Sequence, residues 1–257
     1  MGYANQTDSG VASEDLMPPD ATCLAPTSQV DCDHPTITET ASRLTAGLTD
    51  RAAKASALHR FVRDDIRYGW TPSYDRESAS RTLRRGLGFS KTKAVLMVAL
   101  LRASGIPARI AMTDITSDIL KGIVSLPFPW IDHALVEVWI DDRWVRTDSY
   151  IVDAPLLGAV KARLINDGQE FGYGVHRDGT GDWDGTSDSF VQWVTCGPED
   201  RLSRRAPAPY PDLNTFNTFG TPHHRLGPVG RLAYRAFTAR ANRKVDALRN
   251  ETAMALA

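Results

Sequence analysis

The sequence predicts an α+β fold in which a buried helix packs on an antiparallel sheet. Two features carry that expectation. Residues 90–105, SKTKAVLMVALLRASG, are apolar almost all round, which suits a helix enclosed on every side. Residues 133–149 alternate apolar and polar about Asp141-Asp142, which suits a hairpin with one packed face.

Length and composition agree. The chain has 257 residues, 42% hydrophobic and 24% charged, with a formal net charge of −1. That is ordinary for a globular protein and long enough for a sizeable core. The longest apolar run, Ala94–Leu101, is far below the ~20 residues of a membrane span, so no spanning segment is expected. Neither a secretory leader nor a myristoylation pattern is visible at the start, and the expected location is cytoplasmic. Cys23, Cys32 and Cys196 form no CxxC pair, which argues against a zinc site or disulfide framework. Residues 1–35 hold six acids and no Lys or Arg, whereas 201–257 hold ten basic residues against three acids. Nucleic acid is not an expected partner.

Element by element, 1–35 reads as a disordered acidic tail. A short helix follows over Thr36–Leu48. Asp50 caps a second helix to about Tyr68, with a stripe of Ala53, Ala57, Phe61, Val62 and Ile66. A helical piece spans Ala79–Arg84. Gly86 and Gly88 then break the pattern before the apolar helix, which Gly105 and Pro107 end. Ala108–Met112 is a short strand, and His133–Ile140 and Arg143–Ser149 form the hairpin. Ala154–Leu164 is helical, while Phe171–Val175 and Phe190–Val194 are weak strand candidates. Residues 201–226 read as a Pro-rich linker. A basic amphipathic helix occupies 227–257, with Leu232, Ala233, Phe237, Ala241, Val245 and Leu248 on one face.

The hairpin carries the first chemical signal. If Asp141-Asp142 is a two-residue turn, Ile140 pairs with Arg143, Trp139 with Trp144 and Glu137 with Arg146. His133 and Asp148 then become diagonal neighbours on one face, about 7–8 Å apart at the backbone and within reach of a hydrogen bond. The bland alternatives are a structural histidine and an aspartate that caps the next turn. A turn lacking glycine also leaves room for a register slip.

Ser90 carries the second signal. It opens the buried helix, where serine is an ordinary N-cap. Yet Lys91 and Lys93 follow in the first turn, against the macrodipole, and make the site electropositive. Such helix starts stabilise oxyanions and bound carboxylates or phosphates.

The string GLGFSKTKAVLMVALLRASGIPARI, followed by DHALVEVWIDDRW and Thr147-Asp148, resembles the core of the transglutaminase-like superfamily, a branch of papain-like folds. Upstream, ALHRFVRDDIRYG is similar to the family's helix before the nucleophile loop. The resemblance spans roughly residues 36–195, and the domain is expected over 36–200. It implies an α+β papain-like fold, a Cys-His-Asp triad, and acyl transfer or amide hydrolysis. On this chain the implied histidine is His133, the aspartate Asp148, and the cysteine position Ser90.

That serine leaves three readings. Ser90 is a nucleophile in a Ser-His-Asp triad, or an engineered replacement of cysteine, or the mark of a catalytically dead binding protein. A serine needs His133 as base at the moment of attack, with Asp148 orienting the ring. Ser90's own amide would supply one oxyanion donor, and Trp70 is a candidate for the other, weighed against plain packing. Lys93 matches a lysine that often follows the family cysteine, as a loop anchor or a receptor for a substrate carboxylate. Ser90 and Lys93 also fit the S-x-x-K dyad of penicillin-recognising enzymes, although S-D-N and K-T-G are missing. No metal or organic cofactor is implied. The expected partner is a small-molecule or peptide acyl substrate. An acidic partner for the final helix, through Arg231, Arg235, Arg240, Arg243, Lys244 and Arg249, is the other candidate, set against an ordinary solvated face.

Overall fold

The computed structural model describes residues 17–192, 202–223 and 227–255. Its helices are α1 (Pro35–Leu44), α2 (Arg51–Asp64), α3 (Ala79–Arg85), α4 (Ser90–Ala103), α5 (Ala154–Asn166), α6 (Leu213–Phe219) and α7 (Pro228–Ala255). The main sheet has the order β5 (Arg143–Thr147), β4 (Trp130–Ile140), β3 (Ala108–Thr116), β8 (Ala208–Tyr210), with every neighbour antiparallel. Two small pairs complete it: β1 (Arg67–Tyr68) with β2 (Leu87–Gly88), and β6 (Phe171–Gly172) with β7 (Val175–His176). This is the expected α+β architecture. Among the described residues no helix is long and apolar enough to cross a membrane.

Helix α4 is the core element. Every residue from Lys91 to Arg102 is buried, as its all-round apolarity requires. It packs on β3 and β4 and against α1, α2 and α3. The hairpin also has the expected register: Ile140 faces Arg143, Trp139 faces Trp144 and Glu137 faces Arg146. Asp141 and Asp142 both take positive φ, 49° and 58°, which a two-residue primed turn demands and aspartate tolerates. Arg146 and Arg109 both bind Glu137, at 2.9 and 2.6 Å.

Several expectations need correction. Helix α2 ends at Asp64 rather than near Tyr68, which lies in β1. Asp50 caps it as expected, accepting from the Ala53 amide at 2.7 Å. Its buried face is Ala52, Ala55, Leu58, His59 and Val62, so the expected stripe was rotated, with only Val62 in common within the helix. Strand β3 continues to Thr116, because its pairing with β4 persists down to Trp130. Part of the segment read as a disordered tail is packed. Val30 and Cys32 enter the main core, Cys23 joins Trp139 and Trp144, and the Trp144 indole donates to the Met17 carbonyl. Residues 1–16 of that tail, Cys196, and Trp193-Val194 of a strand candidate lie outside the described residues. The Pro-rich linker holds β8 and α6, with Leu213 and Phe216 buried.

The final helix departs at its start: Leu232 is exposed, whereas Ala241, Val245 and Leu248 are buried. Arg249 belongs to the interior. It forms two 2.8 Å bonds to Asp153 and donates to the Tyr68 carbonyl, while Asp153 also accepts the Tyr68 amide. Burial opposes the Asp153 charge, but the Arg249 and Tyr68 bonds outweigh it and hold the carboxyl below its ordinary range. Replacing Asp153 with alanine leaves Arg249 only the half-exposed Asp246 and the Tyr68 carbonyl, and leaves the Tyr68 amide without its acceptor. The expected loss is about 2 kcal/mol of unfolding free energy, read by urea denaturation. The loss should shrink as the pH falls below about 4, where the unfolded carboxyl takes up its proton and the native pair is undone.

Candidate active site

The short β1–β2 pair fixes where α4 begins. Tyr68 lies opposite Gly88, and the Gly69 amide donates to the Gly88 carbonyl at 2.9 Å. A Cβ on Gly88 would come within 2.8 Å of Thr92 Oγ1 and 2.9 Å of Lys93 Cγ, so only glycine permits this close approach. Phe89, not Ser90, is the N-cap residue, and its amide donates to Thr92 Oγ1 at 3.0 Å. Ser90 is thus the first helical residue. Its half-buried side chain is released from the capping role that sequence alone allowed.

His133 and Asp148 meet as the hairpin register implies. His133 sits on β4 opposite Thr113, and Asp148 lies one residue beyond β5. Nε2 of His133 is 3.0 Å from Asp148 Oδ2, with both side chains almost fully buried. The other carboxylate oxygen accepts from the amides of Val191 and Gln192, at 2.5 and 3.4 Å. Those two residues were not legible as site residues; they come from a segment without strong periodicity. With Nε2 taken by Asp148, Nδ1 is the ring nitrogen left for other chemistry.

Ser90 and His133 line one cavity of about 410 Å³. Its lining is mostly apolar, with Phe89, Ile119, Phe128 and Ile131 contributing. Tyr234 and Phe237 of α7 line it too, so the final helix is part of the site. Trp70 lines it as well and packs edge-on against Tyr68 and Phe237, with ring centroids 5.4 and 5.9 Å away.

The two lysines after Ser90 have different fates. Lys91 lines the cavity, 3.3 Å from Asp132 and 5.0 Å above the Tyr74 ring. Burial opposes its charge, yet Tyr74 and Asp132 more than compensate and raise the ammonium above its ordinary value. Lys93 points into the protein. Its Nζ donates to the carbonyls of Ile66, Ile151 and Arg63, at 2.6, 2.8 and 3.3 Å. Burial lowers its pKa to about 7. Lys93 is therefore neither a substrate receptor nor a partner for Ser90, which removes the S-x-x-K reading. The loop-anchoring role is the one observed.

A second histidine supports the turn that bears Asp148. His59 of α2 is fully buried and bonds Ser149 Oγ at 2.8 Å, and Ser149 also bonds Thr147. Burial first, then the charges of Arg63 and Lys93, push the His59 pKa down to about 3.

These features define an α+β protein with a buried His–Asp pair and a serine at the mouth of its central helix, sharing one cavity. The transglutaminase-like superfamily pattern matches residues 38–149, so this stretch of the chain is similar to that superfamily, and all three candidate residues fall inside it. Among solved structures, a candidate cysteine protease from Cytophaga hutchinsonii is similar at 22% identity, with a TM-score of 0.40, over 48% of this chain and 39% of that one. A candidate protease from Parabacteroides distasonis is similar at 15% identity, with a TM-score of 0.34, over 48% and 24%. The chain thus aligns with well under half the length of either. No curated protein matches it.

Because folded His59 stays neutral while the unfolded residue protonates below about 6.5, stability falls as the pH drops from about 6.5 toward 3. Guanidinium melts of the native protein and His59→Gln, compared between pH 7 and 5, should isolate this term. The native protein should lose roughly 1 kcal/mol more per pH unit across the lower part of that window.

Proposed function

We propose that this protein is an acyl-transfer enzyme acting on an amide, ester or thioester carbonyl. Ser90 is the nucleophile, His133 the general base and then acid, and Asp148 the residue that orients the ring. The observation that carries this reading is the 3.0 Å His133–Asp148 bond, buried beside a cavity that also takes in Ser90.

In the first step Ser90 Oγ bonds to the substrate carbonyl carbon and its proton passes to His133 Nδ1. Asp148, fixed by the Val191 and Gln192 amides, holds Nε2–H and stabilises the imidazolium. The Ser90 amide at the helix start is one donor for the developing oxyanion. Collapse breaks the bond to the leaving group, which takes the proton back from His133. Water or an acceptor nucleophile then releases the acyl group by the reverse sequence.

The resemblance implies a cysteine at position 90, which keeps a second reading in play: a site that binds acyl compounds without turning them over. The test is turnover of p-nitrophenyl esters and acyl thioesters by the native protein, Ser90→Ala and Ser90→Cys. On the serine-enzyme reading, native turnover falls at least about 10³-fold in Ser90→Ala. Turnover confined to Ser90→Cys, or native turnover that survives Ser90→Ala, overturns it. Asp148→Asn should lower kcat on the order of 10³-fold or more while KM moves little, since the loss falls on ring orientation rather than on binding.

A further inference from the structure

Beside the Ser90 cavity lies a second one, of about 700 Å³, with the opposite chemistry. Four arginines line it: Arg76, Arg81, Arg231 and Arg235. The carboxylate in its lining is Asp75, whose Oδ2 accepts from Asn217. Among the described residues no acid pairs with Arg76, Arg81 or Arg235. Arg76, Arg81 and Arg235 against the Asp75 carboxylate leave an excess of positive charge in a concave site.

The two cavities share a wall. Tyr74 and Tyr234 line both, edge to face with centroids 5.0 Å apart. The Tyr234 hydroxyl is buried and has no hydrogen-bond partner among the described residues. A buried hydroxyl without a partner is destabilising, so one kept on a residue that lines both cavities points to a ligand that satisfies it.

We propose that the acyl donor is an apolar acyl group carried as a thioester on a phosphate-bearing arm. The acyl group sits in the apolar cavity beside Ser90, the arm passes Tyr234, and the phosphates meet the arginines. This rests on the acyl-transfer reading above and names its substrate class. Guanidinium forks bind phosphate oxygens in pairs, which suits arginine here better than lysine. In the reaction the Ser90 Oγ–carbon bond forms and the carbon–sulfur bond breaks. The Ser90 proton travels through His133 to the departing thiolate, which leaves as a thiol.

Binding is measured by calorimetry on Ser90→Ala, so that no turnover intervenes. The ligands are hexanoyl-coenzyme A, hexanoyl-4′-phosphopantetheine and the uncharged hexanoyl-N-acetylcysteamine. Both phosphate-bearing thioesters should bind at least about tenfold tighter than the uncharged one, and the preference should fall with salt. Equal affinity of the two phosphate-bearing ligands points to an arm carried on a protein. A further gain for the coenzyme A ester points to the free nucleotide thioester. Combining Arg76→Glu, Arg81→Glu and Arg235→Glu should bring the preference close to one, while Arg243→Glu, exposed further along α7, should retain it. Circular dichroism checks that each variant is folded. Equal binding of charged and uncharged thioesters, or a preference that survives the triple charge reversal, overturns the proposal. Native turnover of these thioesters that survives Ser90→Ala would instead overturn the acyl-enzyme reading and leave the binding result standing.

Discussion

Full burial of α4 is the constraint on which the rest of the structure depends. A helix enclosed on all sides has no solvent in which to leave a charge, yet α4 carries Lys91, Lys93 and Arg102. Each must find oxygen partners inside the protein. Arg102 binds the carbonyls of Ala25, Ala108 and Pro211, at 2.7, 3.0 and 3.1 Å. Lys93 gathers carbonyls from the end of α2, from the residue before β1 and from the loop after β5. Lys91 takes Asp132. Three cations on one helix thereby draw together segments far apart in sequence.

This explains which parts of the fold were legible beforehand. The hairpin register followed from alternation and from two aspartates able to adopt positive φ, both local properties. The buried helix followed from its own apolarity. The segments around Ala25 and Pro211 showed no periodicity, because cation–carbonyl bonds and a few buried side chains hold them rather than an amphipathic face. A carbonyl acceptor leaves no trace in side-chain sequence, so those segments read as a tail and a linker. The rotated face of α2 has a related cause. His59 is on its buried side, and a polar residue there is invisible to a pattern of apolar positions.

The same logic separates the site residues that sequence pointed to from those it missed. His133 lies on β4 and Asp148 just beyond β5, and their meeting follows from the hairpin register. The hold on Asp148 comes from backbone amides of Val191 and Gln192, which any residues could provide, so composition gave no hint of it. Lys93 was left between loop anchor and anion receptor, because a lysine at a helix start also looks like a ligand for anions. Its three carbonyl partners show a structural cation that stitches α2 and the turn beyond Asp148 to the helix bearing Ser90. Ser90 and Asp148 are therefore braced through the one buried Lys93 side chain.

The matched stretch ends at residue 149, but the cavity does not. Tyr234 and Phe237 come from α7, whose far end is fixed by Arg249 on Asp153 at the edge of β1. Strand β1 pairs with β2, and β2 leads directly into Ser90. Placement of α7 over the cavity is thus coupled through Tyr68 and Gly88 to the start of the central helix. An aromatic wall carried on α7, outside the matched stretch, can change the shape of the cavity without disturbing the His133–Asp148 pair. The cavity wall and the buried His–Asp pair then reside on different segments of the chain, joined by a two-residue strand.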